Sequence, residues 1–300
     1  MSPERVSRRV AVSSMLVSGC LALAKISVGF RAGSTAVVSD GFESAGDVLA
    51  AGLVLFGLIL AAKPPDAQHP YGHGRLETLS ALVVGMLLVI SGALISERAL
   101  EHALQPLHTP AAFALWPVVA SIVLKSVMSV TKFSYARRIG SSALKADAWN
   151  DSVDVLSGTS AFVGLGLTLL DPRRFAAADH IGGAVVGVVV IFLGVRVVRD
   201  TTLQLIDTMP DVESMDQIRR VALTVPGTKG IEKCFARKTG LRWHVDLHLE
   251  VDPELSVYQS HDIATQVRIK VKENLDWVAD VLVHVEPYLA VDAGVTHGKS

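Results

Sequence analysis

The sequence predicts a six-helix membrane domain followed by a small α+β domain, and three observations predict it. Half of the 300 residues are hydrophobic, only 19% are charged and the mean hydropathy is +0.42, well on the membrane side for so long a chain. Windows of about 20 apolar residues, enough to cross ~30 Å of hydrocarbon, can be placed six times before residue 207. After Thr208 the pattern changes to strands that alternate and helices with one apolar face. Residues 1–207 are therefore expected to form the membrane domain, 208–290 the α+β domain, and 291–300 (VDAGVTHGKS) a disordered tail.

The six windows fall near 10–30, 37–62, 78–102, 111–136, 142–170 and 178–205. The third, LSALVVGMLLVISGALI, is uniformly apolar, and Asp171-Pro-Arg-Arg breaks the fifth from the sixth. An even number of spans puts both termini on one side. Arg5, Arg8, Arg9, Lys63, Arg75, Arg137, Arg138, Arg196 and Arg199 crowd that side, against Arg173 and Arg174 on the other. This bias makes both termini cytoplasmic, in a multi-pass protein expected in a bacterial inner membrane. No A-x-A site follows the first apolar stretch, so no cleavable signal peptide is expected.

In the second part, VESMDQIRRVAL has helical spacing between Asp211 and Pro226-Gly227. GIEKCFARKTG and LRWHVDLHLEVD read as a hairpin turning at Thr239-Gly240. Its second arm puts Trp243, Val245, Leu247, Leu249 and Val251 on one face and His244, Asp246, His248, Glu250 and Asp252 on the other. An amphipathic helix opened by Ser256 and a last strand, ADVLVHVEPY, complete an α-β-β-α-β order of ferredoxin-like type.

Two acidic clusters lie inside the membrane windows: Asp40, Glu43 and Asp47 in the second, and Asp147, Asn150, Asp151 and Asp154 in the fifth. A charged side chain at bilayer depth costs roughly 2.5–3.5 kcal/mol even on insertion scales and normally marks an ion path. Glu43/Asp47 and Asn150/Asp154 share a four-residue spacing, one helical turn on one face. Two such helices facing each other offer four oxygen ligands to one cation. Asp40, Asp147 and Asp151 read either as lining of a wet cavity mouth or as accessory ligands.

The loop KPPDAQHPYGHGRLE places Asp66, His69 and His73 within eight residues, a spacing suited to Zn²⁺ or a similar divalent ion. Its other reading is a Pro/Gly-rich turn whose polar groups face water. Downstream, His248, His261, His284 and Glu286 are spread over two strands and a helix, so only tertiary or dimer contacts could gather them. A net charge of −1 gives no sign of a nucleic-acid partner. Cys20 and Cys234 make no disulfide framework, and no nucleophile motif points to an enzyme.

SDGFESAGD, HPYGHGRLETLSAL, ADAWNDSVDVLSG and the segments VDLHLEVDPELSVYQSHDIA and VLVHVEPY follow one another at spacings that resemble the cation diffusion facilitator family of divalent-metal antiporters. The resemblance covers nearly the whole chain. It implies a homodimer in the lipid bilayer that exports metal from the cytoplasm against protons, and a cytoplasmic metallochaperone-like domain that senses metal and dimerises. It implies a transport site at Glu43, Asp47, Asn150 and Asp154 and a loop site at Asp66, His69 and His73. It further implies C-terminal ligands at His248, His261, His284 and Glu286, with Cys234 at a position that is often histidine. Arg75 and Asp207 match the family's charge interlock.

Where zinc-transporting members carry histidine, this chain has Asn150. Three carboxylates and an amide favour Mn²⁺ or Fe²⁺, with Zn²⁺ possible as substrate or regulator. Burial and like charge disfavour three ionised carboxylates together, so the empty site is expected to hold one or two protons that a divalent ion displaces. Gly41, Gly46, Gly52 and Gly158 are expected to let helices pack and tilt around it. The rival reading is a non-transporting membrane sensor or assembly scaffold of the same family.

Overall fold

A computed structural model describes residues 3–32, 35–102, 115–170 and 178–289. The chain divides into two compact units, Met1–Leu205 and Ile206–Ser300. The Asp171-Pro-Arg-Arg break and the expected disordered tail lie outside the described residues.

The first unit consists of six long helices: α1 (Pro3–Ala32), α2 (Thr35–Ala61), α3 (Arg75–His102), α4 (Leu115–Ile139), α5 (Ser142–Leu170) and α6 (Ala178–Leu205). Stretches of three of them, Arg5–Val28, Ser44–Ala61 and Arg75–Glu97, are long and apolar enough to cross a membrane by length and composition alone. At 25, 29 and 28 residues, α4, α5 and α6 are equally long, and α4 and α5 carry the buried charges described below. Helix α1 packs along α2, α3 along α6 and α4 along α5, while α5 also touches α3 and α6.

Glycine permits the closest of these approaches, but not mainly where the sequence pointed. A Cβ at Gly41 would come within 2.9 Å of the Ile26 backbone nitrogen, and one at Gly158 within 3.0 Å of the Ile122 side chain. Gly46 faces open space and Gly52 meets only a sulfur at 3.9 Å, so neither is a packing device. The tight seam is α3 on α6: a Cβ at Gly92 would lie 2.7 Å from the Ile191 nitrogen, and one at Gly194 2.7 Å from the Val89 nitrogen. Backbone cannot yield as a side-chain tip can. Gly194→Ala is therefore expected to destabilise the purified protein by about 1–3 kcal/mol, the usual cost of overpacking. Thermal unfolding in detergent measures it, and an unchanged midpoint would mean that the seam adjusts freely.

The α4–α5 connection fixes the acidic end of α5. Gly140 takes φ 69°, and the Ser141 N–H donates back to Ala136 O at 3.0 Å, closing α4 with a left-handed turn. Glu77, fully buried in the first turn of α3, accepts from Ser141 Oγ at 2.8 Å and from the Ala143 N–H at 2.7 Å. Its carboxylate thus caps the start of α5, where the helix dipole favours negative charge. Asp147 stands one turn further on.

The second unit runs α7 (Val212–Leu223), β1 (Gly230–Thr239), β2 (Arg242–Val251), α8 (Val257–Asn274) and β3 (Val278–Pro287). Asp211 caps α7 by accepting from the Ser214 N–H, a bond that also holds its carboxyl below the usual range. Ser256 and Gln259 form a capping box at α8. The sheet order is β1-β2-β3, with β1 antiparallel and β3 parallel to β2, the latter joined through α8. Val245, Leu247, Leu249 and Val251 are buried with Ile218, Val267 and Val271 from the helices. That leaves the histidine face of β2 uncovered by this core. Arg268 on α8 grips both oxygens of Asp280 on β3, at 2.8 and 2.7 Å.

Candidate functional site

Helices α2, α4 and α5 converge on a buried charge cluster. Asn150 Nδ2 donates to Asp47 Oδ1 at 2.8 Å, joining α5 to α2. Asp154 stands one turn beyond Asn150, so the predicted ligands Asp47, Asn150 and Asp154 do come together. The side chains of Asp40 and Glu43 lie outside what the structure describes.

The cluster holds two lysines that the sequence reading passed over. Lys125 Nζ on α4 lies 2.9 Å from Asp47 Oδ2, 2.8 Å from Asp154 Oδ2 and 3.0 Å from Asp151 Oδ1. Lys132, two turns along α4, pairs with Asp147 at 2.7 Å and with the other oxygen of Asp151 at 2.5 Å. Both lysines, Asp147 and Asp151 are 2% exposed or less. Asp147 and Asp151 therefore do not line a wet cavity mouth; each is an inner member of an ion-pair ladder between α4 and α5. Ser129, between the lysines, donates to Ala148 O at 3.0 Å and bonds Ser152 Oγ at 2.7 Å, knitting the same seam.

The signal for this ladder was present. Lys125 and Lys132 are seven residues apart within a membrane window, hence on one face, and Asp147, Asp151 and Asp154 repeat that spacing on α5. A buried lysine demands a buried acid. A third buried lysine, Lys25 on α1, donates to Ser44 Oγ on α2 at 3.0 Å.

The loop between α2 and α3 gathers Asp66, His69 and His73, whose ligand atoms all lie within 4.8 Å of one another. Asp66 Oδ1 accepts from the backbone N–H of Gln68 and His69 at 2.9 and 2.7 Å. The bond from the His69 backbone does most to hold the Asp66 carboxyl below its ordinary value. His69 Nδ1 is 3.0 Å and His73 Nε2 3.5 Å from the Asp66 carboxylate.

On the sheet, register does the gathering. His248 on β2 pairs with His284 on β3, and Glu250 with Glu286. His248 Nδ1 reaches Glu286 Oε1 at 2.6 Å, His284 Nε2 lies 3.7 Å from the same oxygen, and the three ligand groups fit within 4.8 Å. A hydrogen bond with Glu232 and the contact with His248 hold Glu286 below its usual range. Glu232, which the sequence reading did not single out, is thus a neighbour of this cluster. His261 stands exposed on α8 and is not among the three. Cys234 faces the core from β1, and desolvation pushes its thiol up to about 11, so within one chain it is a packing residue rather than a thiolate ligand.

Arg75 opens α3 in the first unit, and Asp207 stands just past α6, at φ 61°, in the second.

Two family models cover almost the whole chain: the cation efflux transmembrane domain matches residues 11–206, and the cation efflux protein cytoplasmic domain matches residues 210–288. The chain belongs to the cation efflux family. Members of this family, the cation diffusion facilitators, are membrane proteins that move metal cations. The manganese efflux system protein MneP of Bacillus subtilis is 30% identical over 95% of this chain and 97% of its own. Metal tolerance protein C1 of Arabidopsis thaliana is 30% identical over 89% of this chain and 59% of its own. Magnetosome protein MamB of Paramagnetospirillum magneticum is 26% identical over 91% and 92%. The solved MamM-CTD is 29% identical, covering 26% of this chain and all of its own with a TM-score of 0.25. The helical membrane domain and the C-terminal α+β domain are those the sequence predicted.

Proposed function

We propose that this cation efflux protein exports a divalent metal, Mn²⁺ or Fe²⁺ with Zn²⁺ as a poorer substrate, from the cytoplasm in exchange for protons. The observation that carries the reading is the donor set: Asp47 and Asp154 carboxylates and the Asn150 amide, from facing helices, with no nitrogen or sulfur ligand among them. The name of the relative MneP agrees with it. Charge supports the exchange. Four described carboxylates (Asp47, Asp147, Asp151 and Asp154) face two ammonium groups, leaving two negative charges that one divalent ion or two protons would match. The one or two protons expected in the empty site fit the two charges that Lys125 and Lys132 leave unmatched.

In the same reading the protein works as a homodimer with both termini in the cytoplasm, as the match to the family's cytoplasmic domain supports. Asp66, His69 and His73 bind metal at the membrane edge. His248, His284 and Glu286 sense it in the cytoplasmic domain, where His261 joins across the dimer. Arg75 and Asp207 stand at the positions of the family's charge interlock.

One observation favours a second reading, a non-transporting sensor or scaffold: Lys125 Nζ lies between the very carboxylates that a substrate would bridge. Flux decides between them. Proteoliposomes carrying an internal pH dye are expected to take up Mn²⁺ or Fe²⁺ faster than Zn²⁺ while the lumen becomes less acidic. Asn150→His is expected to shift preference toward Zn²⁺ by about tenfold or more, because imidazole is the better zinc donor and one lost or gained charged contact is worth that much. Absence of flux for every metal would support the scaffold, and an unchanged metal order in Asn150→His would place selectivity elsewhere.

A further inference from the structure

We propose that the Lys125 ammonium is a tethered stand-in for the transported cation, and that Asp151 is the carboxylate to which it withdraws when metal enters. The proposal rests on the reading of Asp47 and Asp154 as substrate ligands and deepens it. Lys125 Nζ bridges these two carboxylates, one on α2 and one on α5, at 2.9 and 2.8 Å. A divalent ion cannot bridge the same oxygens while an ammonium sits between them, since both need the same lone pairs and the two cations repel. Binding therefore requires the nitrogen to move.

Among the described residues, the surroundings leave it one partner to move with. Lys125 is 1% exposed, so it cannot withdraw into water, and an unpaired buried ammonium would be strongly destabilising. Its third contact, Asp151 Oδ1 at 3.0 Å, lies one turn of α5 from Asp154 toward the α4–α5 turn. The other oxygen of Asp151 is fixed by Lys132, which Asp147 holds in turn. Asp151 is thus an anchored acceptor that Lys125 can keep while releasing Asp47 and Asp154. The flexible four-carbon stem of lysine allows this without a helix shift.

Two consequences follow for the cycle. Metal affinity is set by competition with an internal cation, so the site releases its load more readily than four bare oxygens would. The emptied site is refilled from within, which keeps the α2–α5 carboxylates from repelling one another as the protein resets. Lys125 and Asp151 are then positioning residues and not ligands.

Calorimetric titration of Mn²⁺ tests this, using full-length protein in which Asp66, His69, His73, His248 and His284 are all replaced by Ala, so that the membrane site alone is read. Lys125→Met is expected to bind Mn²⁺ about tenfold or more tighter, within the usual range of coupling between sites. Asp151→Asn is expected to bind about tenfold more weakly, because the lysine loses its resting partner. In the double variant the tenfold loss should largely vanish relative to Lys125→Met, since Asp151, although still paired with Lys132, no longer has Lys125 to hold. Unchanged or weaker binding in Lys125→Met, with binding still abolished by Asp47→Ala and Asp154→Ala, would overturn the proposal and leave the transport site standing. Binding that survives Asp47→Ala with Asp154→Ala would remove the transport site itself. Should Lys125→Met fail to fold, Asp151→Asn decides alone: wild-type affinity there overturns the inference.

Discussion

Asp154→Ala and Asp47→Ala are each expected to reduce metal flux into proteoliposomes to background, a loss of about 100-fold or more. Replacing outer-shell partners of metal sites costs about 10–100-fold, and these two carboxylates stand closer to the cation than that. Both are placed by helix geometry rather than by loops: Asp47 on α2 and Asp154 on α5 approach one Lys125 nitrogen from two sides. Neither loss should unfold the protein. With Asp154 gone, Lys125 still has Asp47 and Asp151; with Asp47 gone, it still has Asp151 and Asp154. The two variants should therefore run as the wild type on size exclusion and melt cooperatively while failing to transport. Wild-type flux in either would remove that residue from the ligand set.

The second large effect is expected in the C-terminal α+β domain. It closes a core of its own from both helices and all three strands, so the fragment from Met209 to Tyr288 should fold alone and bind divalent metal. His248→Ala with His284→Ala should abolish that binding, because only Glu286 would remain of the three gathered ligands. Histidine ligates through its neutral ring and metal binding releases protons, so binding is expected to weaken as the pH is lowered from about 7.5 to about 5.5. Glu286 contributes no slope in that window. Hydrogen bonds with Glu232 and His248 hold its carboxyl below the usual range, so it is ionised throughout that window. Any stability it adds is likewise present above the carboxylate range and lost only as pH falls through its folded value. Titration calorimetry from pH 7.5 to 5.5 reads the effect. Binding that is flat with pH would leave the two histidines as ordinary surface residues.

Much of this was legible from the residues in order. The C-terminal α+β domain was legible through strict alternation: in a strand, period two sends Val245, Leu247 and Leu249 inward and His248 outward. The same pleat let His248 and His284 be suspected as neighbours, but register decided it, and register depends on how α8 returns the chain to lay β3 beside β2. The loop cluster was legible because its ligands are local; Asp66 folds its own turn through two backbone bonds. Within one chain His261 and Cys234 are not gathered with the others: His261 is exposed on α8 outside the three-residue cluster, and Cys234 is turned into the core from β1.

The lysines are the instructive omission. Read alone, Lys125 and Lys132 look like tolerated charges in a fourth span valued for its apolar neighbours. Only when α4 lies against α5 does the seven-residue spacing on each helix become a ladder of matched charges. Pairing between helices distant in sequence carries no local periodic signal, whereas a buried ammonium without an acid is physically untenable. The glycine seam between α3 and α6 is likewise invisible in the order of residues, since Gly92 and Gly194 become close approaches only when two helices distant in sequence meet.

X-ray absorption on Mn²⁺-loaded full-length protein, with the loop and cytoplasmic ligands replaced by Ala as above, tests the central claim most directly. The account predicts one Mn²⁺ per protomer in an all-oxygen shell without imidazole scattering, and no bound Mn²⁺ once Asp47 and Asp154 are also replaced by Ala. An imidazole signature, or Mn²⁺ retained without those two carboxylates, would contradict it.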